Sequence, residues 1–344
     1  MELRKFGSYR TDSGLVVTIL KRYSITSQKT GEVTGHCFFF YPDTIGVKTK
    51  DAITCREENL KDIIVEEVND EKYAIKAIFD DCDMQKIMDS GQCFRISKIA
   101  PCKYLVLSID KACICTQVGK NVLVNCKDED TVYWVKYFRQ DVEDPQLMGI
   151  YDKGYFNPYI HQAMEFSKGM RLLNQDPYEC LINFIISQRK NIPAICSSIE
   201  KLCRAYGVRK EFLGVEYFSF PTPTDLYNGY PYSDCGLGYR DEYVRDAAEF
   251  CVNKNLKEIA KSKSELEMRD YLKILRGVGD KVANCTLLYS MGYMDSFPVD
   301  VWMYRIIQRE FPDDLPEVLE WYSPNCGALQ LCLFYYERYK NKEA

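Results

Sequence analysis

The residues that could do chemistry are gathered between Tyr271 and Met303, where a glycine turn, a lysine and an aspartate follow one another. Leu275-Arg276-Gly277-Val278-Gly279-Asp280-Lys281 joins two apolar helical segments, and the pattern predicts a helix-hairpin-helix. Gly277 and Gly279 allow close backbone approach and unusual φ values. The free amides opening the second helix would then bind an anion, for which a DNA phosphate is the natural candidate. Lys281 offers an amine as nucleophile. Asp300, reached through Pro298-Val299, offers a carboxylate to stabilise positive charge or relay a proton. Each part also has an ordinary reading. A lysine after a glycine turn is commonly a solvated charge, and an aspartate after a proline is commonly a helix cap. The conjunction is far more specific than any part of it.

Two further pairs share helix faces. Lys281 and Cys285 are spaced i, i+4, and so are Gln330 and Phe334 on the last helical segment. If those faces confront each other, they frame a pocket with an amine, a thiol, an amide and an aromatic ring. A flipped base would suit it: the ring stacks, the amide reads an edge and the amine attacks the sugar. Taken singly, Cys285 and Phe334 read as core residues and Gln330 as a surface amide.

The elements that must hold these residues divide the chain into three. Residues 1–72 alternate in the strand manner through LVVTILKRYSI, HCFFFYP and DAITC, with a turn at Lys29-Thr30-Gly31. They read as a small β-rich module with no assigned role. Residues 73–155 carry YAIKAIFD, QCFRISKI, KYLVLSID, ACICTQV and NVLVNC, an antiparallel sheet with one or two helices and a turn at Gly119-Lys120-Asn121. Residues 156–344 are helical, with Asp176-Pro177 starting PYECLINFIISQRK and Gly207 stopping the helix after it. The fold class is therefore α+β, a β-rich N-terminal region followed by an all-α helix-hairpin-helix domain.

Composition narrows the chemistry. A 344-residue chain can bury a sizeable core, and its net charge of −5 leaves DNA binding to a local basic face. The N-terminus is polar, MELRKFGSYRTDSG, without a secretion signal or membrane run. The 16 scattered cysteines then fit a reducing cytosol rather than a disulfide framework. Cys113-x-Cys115, Cys326/Cys332 and Cys93/Cys102 lack paired metal-ligand spacing, and two histidines, His36 and His161, leave little room for His-based catalysis. No metal and no cofactor is expected.

From about residue 80 to 336 the sequence resembles the helix-hairpin-helix DNA glycosylases that carry a catalytic lysine, most closely the 8-oxoguanine DNA glycosylase/lyase family. Besides the hairpin and Pro298-Val299-Asp300-Val301, the match includes Ser90-Gly91-Gln92-Cys93-Phe94-Arg95, Leu172 to Leu181 (LLNQDPYECL) and Gly236-Leu237-Gly238-Tyr239-Arg240 through Val244. The resemblance implies a TATA-binding-protein-like sheet for residues 73–155. It makes Lys281 the Schiff-base nucleophile and Asp300 its partner. It makes the Gly91 carbonyl the acceptor for the N7 hydrogen unique to the oxidised guanine. Normal guanine has a lone pair there and is repelled. Cys285 and Phe334 would sandwich the base and Gln330 would bind its Watson–Crick edge. Tyr239 would wedge into the stack and Arg240 would contact the base left opposite. Gly277, Gly279, Arg189, Asn191 and Trp302 complete the implied DNA contacts.

The sequence departs from the family's eukaryotic branch at three places. Arg189 stands for the first asparagine of an Asn-Asn-Asn run, Ala194 for the arginine that reads the opposite cytosine, and Trp302 for a histidine. Cys326 and Cys332 are two cysteines where the iron–sulfur loop of some related glycosylases has four. The pattern is that of a bacterial-type branch, implying a cytoplasmic, nucleoid-associated monomer acting on duplex DNA that holds oxidised guanine, with no membrane partner. Two alternatives stand beside it. One is the same scaffold cleaving another damaged base, which Gly91, Cys285, Gln330 and Phe334 together disfavour. The other is a non-catalytic helix-hairpin-helix binder, which has no use for Lys281 and Asp300.

Overall fold

The computed structural model describes residues 76–142 and 157–340, together with the backbone of five strands between Ser8 and Glu67. The chain clusters into two compact units. One comprises residues 1–80, 97–106 and 113–131, the other residues 81–96, 107–112 and 132–344. The linear three-part reading thus meets a two-unit partition in which residues 81–96 group with the helices.

In the first unit, β1 (Ser8–Thr11), β2 (Val16–Thr26), β3 (Val33–Pro42), β4 (Ile53–Arg56) and β5 (Ile64–Glu67) form an antiparallel sheet in the order β4-β3-β2-β1-β5. The alternating runs expected there are β2, β3 and β4, whereas the turn at 29–31 lies outside the described residues. A second sheet has the order β6-β10-β9-β8-β7, built from β6 (Ala77–Phe79), β7 (Ile96–Ala100), β8 (Lys103–Ser108), β9 (Lys111–Val118) and β10 (Asn121–Asn125). β10 pairs with β9 from Asn121↔Val118 to Asn125↔Ile114. Gly119 takes the left-handed conformation (φ +59°) that the tight turn between them requires. Val106, Cys113, Cys115, Val122 and Val124 are fully buried in this sheet.

The second unit opens with α1 (Met84–Asp89) and continues through α2 (Thr131–Tyr137), α3 (Pro158–Ser167), α4 (Pro177–Ser187) and α5 (Ile192–Tyr206). A short hairpin of β11 (Arg209–Phe212) and β12 (Val215–Phe218) precedes α6 (Pro223–Gly229), α7 (Arg240–Cys251), α8 (Leu256–Ala260), α9 (Glu265–Lys273) and α10 (Asp280–Thr286). The chain ends in α11 (Val301–Glu310), α12 (Leu315–Tyr322) and α13 (Cys326–Tyr339). α4 is the hub. Asp176 caps it, its Oδ1 accepting from the Tyr178 and Glu179 amides at 2.9 and 3.1 Å, with Pro177 in the first turn. Cys180, Leu181, Ile182, Phe184, Ile185 and Ile186 are buried around its circumference, against α5, α7 and α10. A helix apolar all round must lie in the core. No helix among the described residues is long and apolar enough to cross a membrane.

Candidate active site

The predicted hairpin is present as α9, a turn and α10. A capping box starts α9, with Ser264 and Glu267 exchanging bonds at 3.3 and 2.7 Å. Gly277 in the turn has φ +81°, and a Cβ there would lie 2.3 Å from the Tyr243 ring. Glycine is required both for the left-handed backbone and for this contact. Arg276 fastens the turn to α7 through Glu242 and Asp246, each at 2.7 Å. Gly279 is extended (φ −98°) and has no neighbour within 4 Å of a Cβ position, so its role is to open α10 rather than to admit a side chain.

Half-buried Lys281 lies in the first turn of α10. Its Nζ donates to Ser187 Oγ at 3.3 Å and sits 4.8 Å from the centre of the Phe184 ring. Phe184 stacks on Tyr289 (5.6 Å, 21°) and takes the edge of Phe94 (5.4 Å, 66°). One aromatic cluster therefore joins α4, the segment beyond α10 and the irregular run from Gly91 to Arg95 that precedes β7. Cys285, one turn along, is buried, and burial pushes its thiol up to about 11. The Lys281 amine, hydrogen-bonded to it, pulls the other way, and the Asp300 charge adds to the rise. Burial thus keeps the Cys285 thiol neutral at physiological pH.

Asp300 caps α11, its Oδ1 accepting from the Trp302 and Met303 amides at 2.9 Å each. The capping reading is therefore correct, and it does not displace the chemical one. One carboxylate oxygen holds the helix.

The Gly91 turn is set by Gln92, a completely buried amide. Its Nε2 donates to Ser90 Oγ (3.0 Å) and to the Arg171 carbonyl (2.8 Å), and its Oε1 accepts from the Leu173 amide (2.8 Å). Gln175 Nε2 donates to the Gln92 carbonyl at 2.6 Å. Beyond the turn, buried Arg95 pairs with buried Glu179 of α4 at 3.4 Å and donates to the Phe218 carbonyl at 2.6 Å. Gly91 has φ +78°, and a Cβ there would press on Phe334 Cε1 and Ile192 Cδ1 at 3.3 Å. Gln330, one turn before Phe334 on α13, is buried, and its Oε1 faces the Tyr289 hydroxyl at 3.4 Å. Tyr289 is aimed by a π-helical stretch, Leu287–Met291, that ends at left-handed Gly292; such insertions often re-aim a functional side chain.

Residues 74–181 match the family model described as 8-oxoguanine DNA glycosylase, N-terminal domain. A solved structure of MBOgg1 in complex with low affinity DNA ligand is 30% identical, covers 77% of this chain and 96% of its own, and superposes with a TM-score of 0.70. The chain belongs to the 8-oxoguanine DNA glycosylase family. The Clostridium acetobutylicum 8-oxoguanine glycosylase/lyase, in complex with dsDNA containing cytosine opposite to 8-oxoG, is 29% identical over 77% of this chain and 95% of its own (TM-score 0.69). The N-glycosylase/DNA lyase of Saccharomyces cerevisiae is 32% identical over 208 residues. That alignment covers 54% of this chain and 54% of the yeast protein, so the chain spans about half the length of this curated relative.

In this member of the family, the expected DNA-facing residues fall into two groups. Tyr239 (51% exposed) and Trp302 (43% exposed) present aromatic surface to solvent. Arg189 is exposed with left-handed backbone (φ +52°) between α4 and α5. Asn191 is exposed but caps α5, its Oδ1 accepting from the Ala194 amide at 2.9 Å. Arg240 departs from expectation. It is buried, with Nε and Nη2 donating to the Gln188 carbonyl and Nη1 to that of Leu237 (2.9 Å), its guanidinium 4.3 Å from the Tyr239 ring. Here it is a strut joining the α4–α5 loop to the Tyr239 loop, with one N–H on each of its three nitrogens given to a main-chain carbonyl. Sequence reasoning passed over Phe184, Ser187, Tyr289 and Gln92. Only the i+4 step from Cys285 to Tyr289 gave a signal, because the others depend on long-range approach.

Proposed function

We propose that the chain is a bifunctional DNA glycosylase and abasic-site lyase that excises 8-oxoguanine from duplex DNA. The observation that carries this reading is geometric: the Lys281 amine stands in the first turn of α10 against Ser187 and the Phe184 ring, one turn before buried Cys285, and the Asp300 carboxylate stands at the start of α11. Both stand in a unit that also holds Gly91 against Phe334, and Gln330 against Tyr289. The flipped base lies between Cys285 and Phe334, with its N7–H on the Gly91 carbonyl and its Watson–Crick edge on Gln330. The Lys281 amine attacks C1′ with its nitrogen lone pair. The C1′–N9 bond breaks, its electron pair leaves on the base, and the base takes up a proton. Asp300 stabilises the positive charge that develops on the sugar. The amine loses a proton, the ring oxygen departs from C1′, and a Schiff base forms. Loss of a C2′ proton then expels the 3′ phosphate and cuts the strand. Lys281 and Asp300 do this without a cofactor.

The helical part is read as the helix-hairpin-helix glycosylase domain and the second sheet as its TATA-binding-protein-like companion. The whole acts as a monomer in a bacterial cytoplasm. Borohydride trapping on an 8-oxoguanine duplex tests the reading: a covalent complex that needs the lesion supports it. Binding without a trapped complex would leave a DNA-binding module, and trapping with equal efficiency on undamaged duplex would overturn the substrate assignment.

A further inference from the structure

Gln330 and Phe334 are followed, one turn further along the same stripe of α13, by Arg338. Its guanidinium lies 5.2 Å from the centre of the Phe334 ring, and its Nη1 is 3.6 Å from the point where a Gly91 Cβ would stand. That nitrogen is buried, and among the described residues it has no hydrogen-bond partner. A buried donor left unpaired is costly, so a partner that arrives with the substrate restores the loss. We infer that Arg338 is a specificity-determining residue that donates a hydrogen bond to the C8 oxygen of the oxidised base.

The inference rests on the proposed excision of 8-oxoguanine. The lesion differs from guanine at two adjacent positions on one edge: N7 becomes a donor and C8 carries a carbonyl acceptor. The chain sets a complementary pair beside that edge, an acceptor in the Gly91 carbonyl and an unpaired charged donor in Arg338. Gly91 alone rejects guanine by repulsion, whereas Arg338 adds an attraction that only the oxidised ring can accept. The ring of Phe334, under the same guanidinium, stacks on the base. Arg338 touches the base and leaves C1′ to Lys281.

The test compares single-turnover excision of 8-oxoguanine with strand cleavage of a duplex already abasic, in which no base occupies the pocket. Wild type comes first: if it releases no base, the functional reading fails and Arg338 is not in question. With an active wild type, Arg338→Met keeps the apolar stem but removes every donor. The excision-to-cleavage ratio should fall roughly 10- to 100-fold, the range for a hydrogen bond to a charged group. Arg338→Gln, which keeps an N–H without the charge, should recover part of that ratio. An unchanged ratio in Arg338→Met overturns the inference. So does an equal loss on both substrates, which would place the partner of Arg338 in the DNA backbone or in the fold. Arg338→Gln no better than Arg338→Met would reduce its role to packing on Phe334 and overturn it as well.

Discussion

The proposed pocket wall and the proposed DNA-facing rim are built on opposite terms. In the wall, Cys285, Gln330 and Gln92 are buried, and their polar neighbours are fixed by hydrogen bonds from three separate parts of the chain. In the rim, Arg189, Tyr239 and Trp302 are exposed, and the one arginine expected to reach the opposite base is turned inward. The wall carries the residues the family resemblance implies, whereas the rim holds the three departures, Arg189, Ala194 and Trp302. A buried position is constrained by every neighbour it touches, so a change there is felt across the pocket. An exposed rim residue can change at little cost to the fold. The contrast predicts that substitutions in the wall act on chemistry and those in the rim on selectivity.

The largest effect should come from the wall. Lys281→Gln removes the nucleophile and should abolish borohydride trapping and base release while lesion-DNA binding, followed by gel shift, persists. A trapped complex formed at the wild-type rate would remove Lys281 from the mechanism.

Next comes Asp300, where the structure sharpens the experiment. Asparagine is as good an N-cap as aspartate, so Asp300→Asn deletes the charge and keeps the bonds to Trp302 and Met303. Its single-turnover rate should drop by about 10²–10⁴ with little change in melting temperature. Asp300→Ala should add a loss of about 0.5–2 kcal/mol in stability from the missing cap. If the Asp300→Asn variant reacts at the wild-type rate, the carboxylate is a cap and nothing more.

Gln92 gives a smaller but more selective effect. Replacing it by methionine removes the acceptor of the buried Leu173 amide, a loss of about 1–3 kcal/mol in stability. It also frees the Gly91 turn. Excision of 8-oxoguanine should fall about tenfold more than cleavage of an abasic duplex, since only the former uses the Gly91 carbonyl. Equal losses on the two substrates would make Gln92 a fold residue alone.

These positions mark where the sequence was legible. Lys281, the glycine turn and Asp300 sit in one local run, and helix and turn chemistry is read from neighbours in sequence. The strands of the second sheet were legible for the same reason, as short apolar runs between polar turns, and β8 is buried along its whole length. What was not legible depends on distant contact. Residues 81–96 group with the helices because Gln92 bonds to Arg171 and Leu173 and Arg95 pairs with Glu179. Nothing in local composition announces those bonds. Phe184 and Tyr289 become part of the site only because α4 meets the π-helical turn after α10, and Arg240 turns inward because the Gln188 carbonyl is there to receive it.

The smallest expected effect belongs to the rim. Discrimination by the opposite base requires donors that go unpaired when the wrong base is present. Ala194 has no side-chain donor, and the buried Arg240 guanidinium is held in place by the Gln188 and Leu237 carbonyls. Arg189 alone remains, exposed on a left-handed turn, where a solvated guanidinium loses little when a contact is missing. One good base contact is worth about 1–3 kcal/mol, so without it excision opposite A, G or T should come within roughly tenfold of excision opposite C. Single-turnover rates on the four duplexes at one salt concentration measure this, and Arg189→Ala should compress the spread further while leaving the rate opposite C within a few-fold of wild type. A preference for C above about a hundredfold would mean that Arg240 leaves its strut when DNA binds, and the division between a chemical wall and a permissive rim would fail at that residue.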